Sequence, residues 1–209
     1  MWVLRTVPVG LAFLLVVAPE LFGQKSKATK KTSDYFPLQT GYSWTYRNTG
    51  EGGYTLTVVR EEPQASGPTR YVVELASGVK IEKTYSKAEG WVLFHLERYP
   101  EHEGLQATYE PPKKILPNPL VAGQRWDWTG KDPTQVEHHE NSRVIRLESV
   151  TVAAGKFRAM KVVSEVSGAA VPMIRTNWYA DGVGLVKSTT EGGQIKYGSE
   201  LADYSFKKK

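Results

Sequence analysis

The chain contains no cysteine. That removes disulfides, thiol nucleophiles and thiolate metal sites together, so stability has to come from packing. It also lacks an apolar run long enough for a membrane helix: Val7 to Ala18 is about 12 residues, against the roughly 20 that a helix needs to cross a bilayer. Beyond that run, no window of ten or more residues shows a capped 3.6-residue period. Helix is therefore expected to be minor, confined to one short turn near Glu101–Gly104. The motifs G-x-S-x-G, H-E-x-x-H, G-x-x-x-x-G-K-[ST] and G-x-G-x-x-G are all missing. Gly182-Val183-Gly184 reads as a turn into a strand and not as a phosphate loop.

A strongly charged domain is lacking too, although the formal net charge is +5. Eight of the 27 bases lie outside residues 34–206, as does one of the 22 acids, which leaves 19 bases against 21 acids. Nucleic-acid binding calls for a basic face and not basic ends, so it is excluded. The lysine-rich tails read as solvated chain.

What is present at the start is a secretory signal: Arg5 without an acid, the apolar run, and small Gly23 before Gln24. Residues 1–23 are expected to be a signal peptide cleaved near Gly23, residues 24–33 a disordered Lys-rich leader, residues 34–206 a single β domain, and 207–209 a basic tail. No cysteine follows the apolar run to carry a lipid. The expected location is the periplasm or the medium, with no integral span in the mature protein.

From Asp34 onward, short Thr/Val/Tyr-rich runs alternate with Gly, Pro, Asn and Asp, the pattern of antiparallel strands and hairpins. Eleven or twelve runs are expected. Tyr54–Arg60, Arg70–Ala76, Val79–Tyr85, Trp91–Tyr99, Arg143–Val152, Lys156–Val166, Pro172–Tyr179, Gly184–Thr190 and Gln194–Phe206 are examples, the last with a break near Gly198. In Trp91–Tyr99, Val92, Phe94 and Leu96 should share one face, with His95, Glu97 and Tyr99 on the other.

The chain also echoes itself. Pro37-Leu38-Gln39-Thr40-Gly41-Tyr42-Ser43-Trp44-Thr45-Tyr46 and Pro119-Leu120-Val121-Ala122-Gly123-Gln124-Arg125-Trp126-Asp127-Trp128 share P-L-x-x-G-x-x-W-x-[YW]. A looser echo joins Tyr85 to Leu93 with Tyr179 to Val186. Two related halves, near 34–112 and 113–206, follow. Each Pro-Leu-x-x-Gly would be a turn feeding a strand whose tryptophan packs under the sheet. The expected fold is all-β: a strongly curved antiparallel sheet or incomplete β-barrel.

The passages FPLQTGYSWTY, VTVAAGKFRAMKV and NWYADGVGLVK resemble a family of bacterial exported proteins of unknown function. Its members open with Y-F-P-L-x-x-G-x-x-W-x-Y, carry a V-x-V-P-A-G-x-F hairpin, and end near W-Y-A-x-G-V-G-L-V-K. Ala153 replaces the usual proline of the hairpin. The resemblance implies a curved sheet similar in outline to periplasmic lipoprotein-carrier domains, and it supplies no catalytic residues.

Chemistry-bearing clusters are few. In Glu137-His138-His139-Glu140 a strand would send the two histidines to opposite faces, so they could not chelate one ion together, and solvated loop residues are the default. Glu61-Glu62 and Glu101 with Glu103 sit in turn-like charged stretches and read as surface. No catalytic residue, metal or cofactor is expected. Aromatics lining a curved sheet can form an apolar cavity. Trp91, Phe94, Trp178 and Tyr179 are the ligand-binding candidates, whereas Trp126 and Trp128 belong to the core. The leading function is a non-enzymatic binding module for an apolar small molecule or partner segment. The alternative is a structural or protein-interaction module of the envelope, and a hydrolase acting on envelope polymers ranks third.

Overall fold

The computed structural model describes residues 32–131, 136–168 and 171–206, together with Trp2. The expected signal peptide apart from Trp2, most of the leader and the basic tail lie outside them.

Twelve strands, and no helix among the described residues, form one antiparallel sheet. They are β1 (Ser43–Asn48), β2 (Gly53–Glu62), β3 (Arg70–Ala76), β4 (Lys80–Ala88), β5 (Trp91–Arg98), β6 (Gln106–Pro117), β7 (Arg125–Lys131), β8 (Glu137–Val152), β9 (Gly155–Ser167), β10 (Met173–Ala180), β11 (Gly184–Gly192) and β12 (Ile195–Ser205). The spatial order is β6-β5-β4-β3-β2-β1-β12-β11-β10-β9-β8-β7. Every consecutive pair except β6 and β7 is thus adjacent in the sheet, and β1 pairs with β12. The two sheet edges, β6 and β7, come from the middle of the sequence. The sheet curls until they meet, giving a nearly closed barrel.

No backbone ladder joins those edges. Indole N–H groups cross the seam instead: Trp126 Nε1 donates to Lys114 O at 3.3 Å and Trp128 Nε1 to Pro111 O at 3.1 Å. Trp91 meets Trp126 edge-on, and Tyr109 meets Trp128 in the same way. Strand β7 shows the alternation that drives this: Trp126, Trp128 and Gly130 are buried between exposed Arg125, Asp127, Thr129 and Lys131. Gly130 is required for space, because an added methyl would collide with the Trp128 ring.

The two Pro-Leu-x-x-Gly passages have the same backbone geometry. Gly41 (φ 91°) donates its N–H to Val58 O at 2.8 Å, and Gly123 (φ 88°) donates to Val144 O at 2.9 Å. Val58 N returns a bond to Tyr42 O, and Val144 N to Gln124 O, each at 2.9 Å. Both β2 and β8 then bulge just after that valine. Strands β1–β6 and β7–β12 are two six-stranded meanders, each opened by one of these turns.

Four expectations are corrected. Strand β12 runs without a break at Gly198, where the missing side chain lets Thr49 approach closely; its irregularity lies opposite Thr45/Tyr46. Residues Glu101–Gly104 form hydrogen-bonded turns and no helix. Glu137-His138-His139-Glu140 is not loop but the start of β8. Finally, β5 bulges around His95, so Phe94 pairs with Tyr85 but Leu96 with Thr84. Leu96 therefore leaves the face of Val92 and Phe94, and Glu97 takes its place opposite Lys83.

Candidate functional site

The segment before β1 closes one end of the barrel. Tyr35 and Pro37 are buried there, and Phe36 packs 5.3 Å from the Tyr85 ring. Asp34 ties the segment down: its carboxylate accepts Lys87 Nζ at 2.8 Å, Asn118 Nδ2 at 2.7 Å and Phe36 N at 3.1 Å. Burial alone would raise the Asp34 carboxyl, but the bonds from Lys87 and Asn118 outweigh it and hold it below its ordinary range.

Above this floor lies a cavity of about 200 Å³. Phe36, Trp44, Leu56, Val73, Tyr85 and Tyr179 supply most of its apolar wall, and Arg175 and Asn177 its polar edge. The β1–β4 side chains of this wall meet those of β10, a strand remote from β4 in the sheet order, and that meeting is a direct consequence of the curl. Two polar contacts lock the aromatic wall to the backbone: Trp44 Nε1 donates to Val183 O and Tyr46 Oη to Leu185 O. A second chamber, also about 200 Å³, lies toward the other end, among Tyr54, Ser188, Thr190, Tyr197 and Ser199. Arg175 and Leu185 line both chambers.

The lumen is thus amphipathic along its axis. Its polar part is mostly self-paired: Lys83 with Glu97 at 2.9 Å, Lys113 with Glu140 at 2.6 Å, and Tyr54 Oη with Ser199 Oγ at 3.0 Å. Burial pushes the Glu140 carboxyl upward, but Lys113, Arg175 and the Ser164 hydroxyl bring it below the usual carboxylate range. Burial lowers Lys113 despite the same carboxylate.

Of the four sequence candidates, Tyr179 lines the cavity. Phe94 lies one layer behind, stacked on Tyr85 at 4.8 Å. Trp91 packs at the seam, with Lys114 5.0 Å above its ring. Trp178 faces the other side of the sheet, since Asn177 and Tyr179 both point into the cavity. There Lys161 and Lys187 flank its ring, and its indole donates to Glu148 Oε1 at 2.7 Å. Sequence reasoning missed Arg175, Asn177 and Tyr85. The signal available was the run Arg175, Asn177, Tyr179 at a two-residue period.

Among the described residues, no three of His, Asp and Glu are grouped to hold a metal ion. His139 instead bonds Thr129 Oγ1 and Asn141 Nδ2. Glu61 caps Thr40, Glu62 pairs with Arg60, and Glu101 and Glu103 sit in the β5–β6 turn, away from the lumen cavity.

Residues 129–196 match the DUF3108-like family model. The DUF3108-like segment is about a third of the chain and contains the Arg175–Tyr179 wall. Two solved bacterial structures share the fold. One is a candidate lipoprotein from Parabacteroides distasonis ATCC 8503, 14% identical, with a TM-score of 0.50 over 84% of this chain and 100% of its own. The other is a candidate exported protein with YmcC-like fold from Bacteroides fragilis NCTC 9343, 14% identical, with a TM-score of 0.51 over 83% and 100%. At that identity the likeness concerns the fold. No curated protein sequence is a significant match.

Proposed function

We propose that the protein is an exported, non-enzymatic β domain that holds an apolar ligand in its lumen. The cavity carries this reading: about 200 Å³ of space walled by aromatic and aliphatic side chains remains after the barrel has packed itself. A cavity of about 150 Å³ already accepts benzene, so the space suits one ring or a short acyl chain. The secretory-type N-terminus and the fold shared with candidate exported proteins support the location. Native mass spectrometry of protein purified from a periplasm, before and after organic extraction, tests it. An adduct lost on extraction is expected; a bare mass, with no uptake of added octanoate or octanol, contradicts it.

One observation favours a docking role in the envelope as the second reading. Among the described residues at the strand ends opposite the Asp34 floor, five aliphatic side chains are exposed: Val79, Leu105, Val136, Val171 and Ile195. Replacing Leu105 and Ile195 by serine should abolish partner capture under that reading, and should leave octanoate uptake unchanged under the first.

A further inference from the structure

Arg175 stands where the two chambers meet, on the cavity-lining face of β10 with Asn177 and Tyr179. Its side chain retains 30% of its exposure, so it can be reached from the polar chamber. Its charge is also in surplus. Lys83 is matched by Glu97 at 2.9 Å and Lys113 by Glu140 at 2.6 Å, whereas Arg175 reaches that same Glu140 oxygen only at 3.6 Å. Among the described residues, three cations and two carboxylates thus share this part of the lumen, one positive charge in excess.

A hydroxyl is poised beside it. Ser188 Oγ donates to Asn177 Oδ1 at 2.7 Å, which fixes the amide so that Asn177 Nδ2 donates to Tyr179 Oη at 3.3 Å. The Tyr179 oxygen is used as an acceptor, and its proton has no acceptor among the described residues. Burial raises the Tyr179 pKa far above its ordinary value, although Arg175 opposes the rise, so the proton stays available for donation at neutral pH. The Tyr85 hydroxyl, on the same cavity, makes no hydrogen bond among the described residues. Two donors and one unmatched cation therefore border an apolar chamber, a combination that suits a ligand carrying a single acidic group.

We propose that the lumen ligand is an amphipathic monoanion. Its short apolar tail fills the chamber walled by Trp44, Val73 and Tyr85, and its single carboxylate lies between the Arg175 guanidinium and the Tyr179 hydroxyl. This rests on the lumen being a ligand site and adds the chemistry of the head. A dianionic head would leave an unmatched negative charge in a poorly hydrated site, and a cationic head would meet the surplus arginine. Scaling from benzene in a cavity of about 150 Å³, the tail has about eight carbons.

The test is calorimetric titration of the purified protein with sodium octanoate, 1-octanol and octyltrimethylammonium. Octanoate should bind at least about tenfold more tightly than octanol, and the ammonium should not bind. Arg175→Met should bring octanoate down to the octanol affinity and leave octanol unchanged, while Arg175→Lys restores part of the loss. Should Arg175→Met fail to fold, Tyr179→Phe serves as the second variant, with a several-fold loss for octanoate alone. Equal affinities for octanoate and octanol in the unaltered protein would overturn the acidic head and leave the apolar lumen standing. Absence of binding by all three probes would overturn both.

Discussion

Tyr85 and Tyr179 occupy matching places in the two meanders of the barrel. Each lies on the fourth strand of its half, each follows a register shift to the next strand, and both rings line the same cavity. Their surroundings differ. Tyr179 accepts an amide proton from Asn177 beside Arg175, whereas Tyr85 is enclosed by Phe36 and Phe94. Similar backbones thus frame a cavity with one polar and one apolar wall, and the asymmetry comes from a few side chains.

The glycine turns that open each half should differ in cost from the glycine in β7. Gly123→Ala meets nothing within 4 Å, so only the positive φ penalises it, by about 1–2 kcal/mol. Gly130→Ala drives a methyl into the Trp128 ring and should cost about 2–3 kcal/mol. Urea denaturation of the two variants checks the order. A milder effect at Gly130 would mean that the Trp128 ring is free to shift.

The β6–β7 seam should be the first part of the barrel to open, because side-chain bonds take the place of a ladder there. Trp128→Phe removes the bond to Pro111 O at a cost of about 1 kcal/mol. Amide exchange should then accelerate in β6 and β7 before β1 and β12. Uniform acceleration around the barrel would count against a seam.

Acid should weaken the fold through Glu82. Arg60 hydrogen bonds, followed by those of Arg98, hold its carboxyl at about 2 against an ordinary 4.5, outweighing burial. A depressed folded-state pKa contributes stability above the unfolded value, and that contribution is lost as pH falls from about 4.5 toward 2. Glu82→Gln should lower the urea midpoint at pH 7 and flatten its fall below pH 4.5. An unchanged pH slope would show that other carboxylates dominate.

The strands were readable where alternation is strict, as in β7, and where glycine turns punctuate, as in the β3–β4 hairpin. The sequence does not announce strand β6, because Pro111 and Pro112 argue against a ladder; its place at the sheet edge is what tolerates them. Bulges defeated side assignment: one extra residue at His95 moved Leu96 off the lumen face and brought Glu97 onto it. For the site, aromatic abundance pointed to Tyr179 but also to Trp178, which alternation places on the opposite face. Arg175 looked like any strand arginine. The two-residue period of Arg175, Asn177 and Tyr179 marks a shared face, but only the curl that brings β10 opposite β3 and β4 makes that face the lumen.

The lumen reading is tested most directly by methyl-resolved carbon–proton NMR during an octanoate titration. Shifts should concentrate on the methyls of Leu56, Val73 and Leu185, which line the cavity, and spare Val72, which points to the other face of β3. Saturating shifts confined to Val79, Leu105 and Ile195, with the lumen methyls silent, would contradict it and place binding at the outer rim.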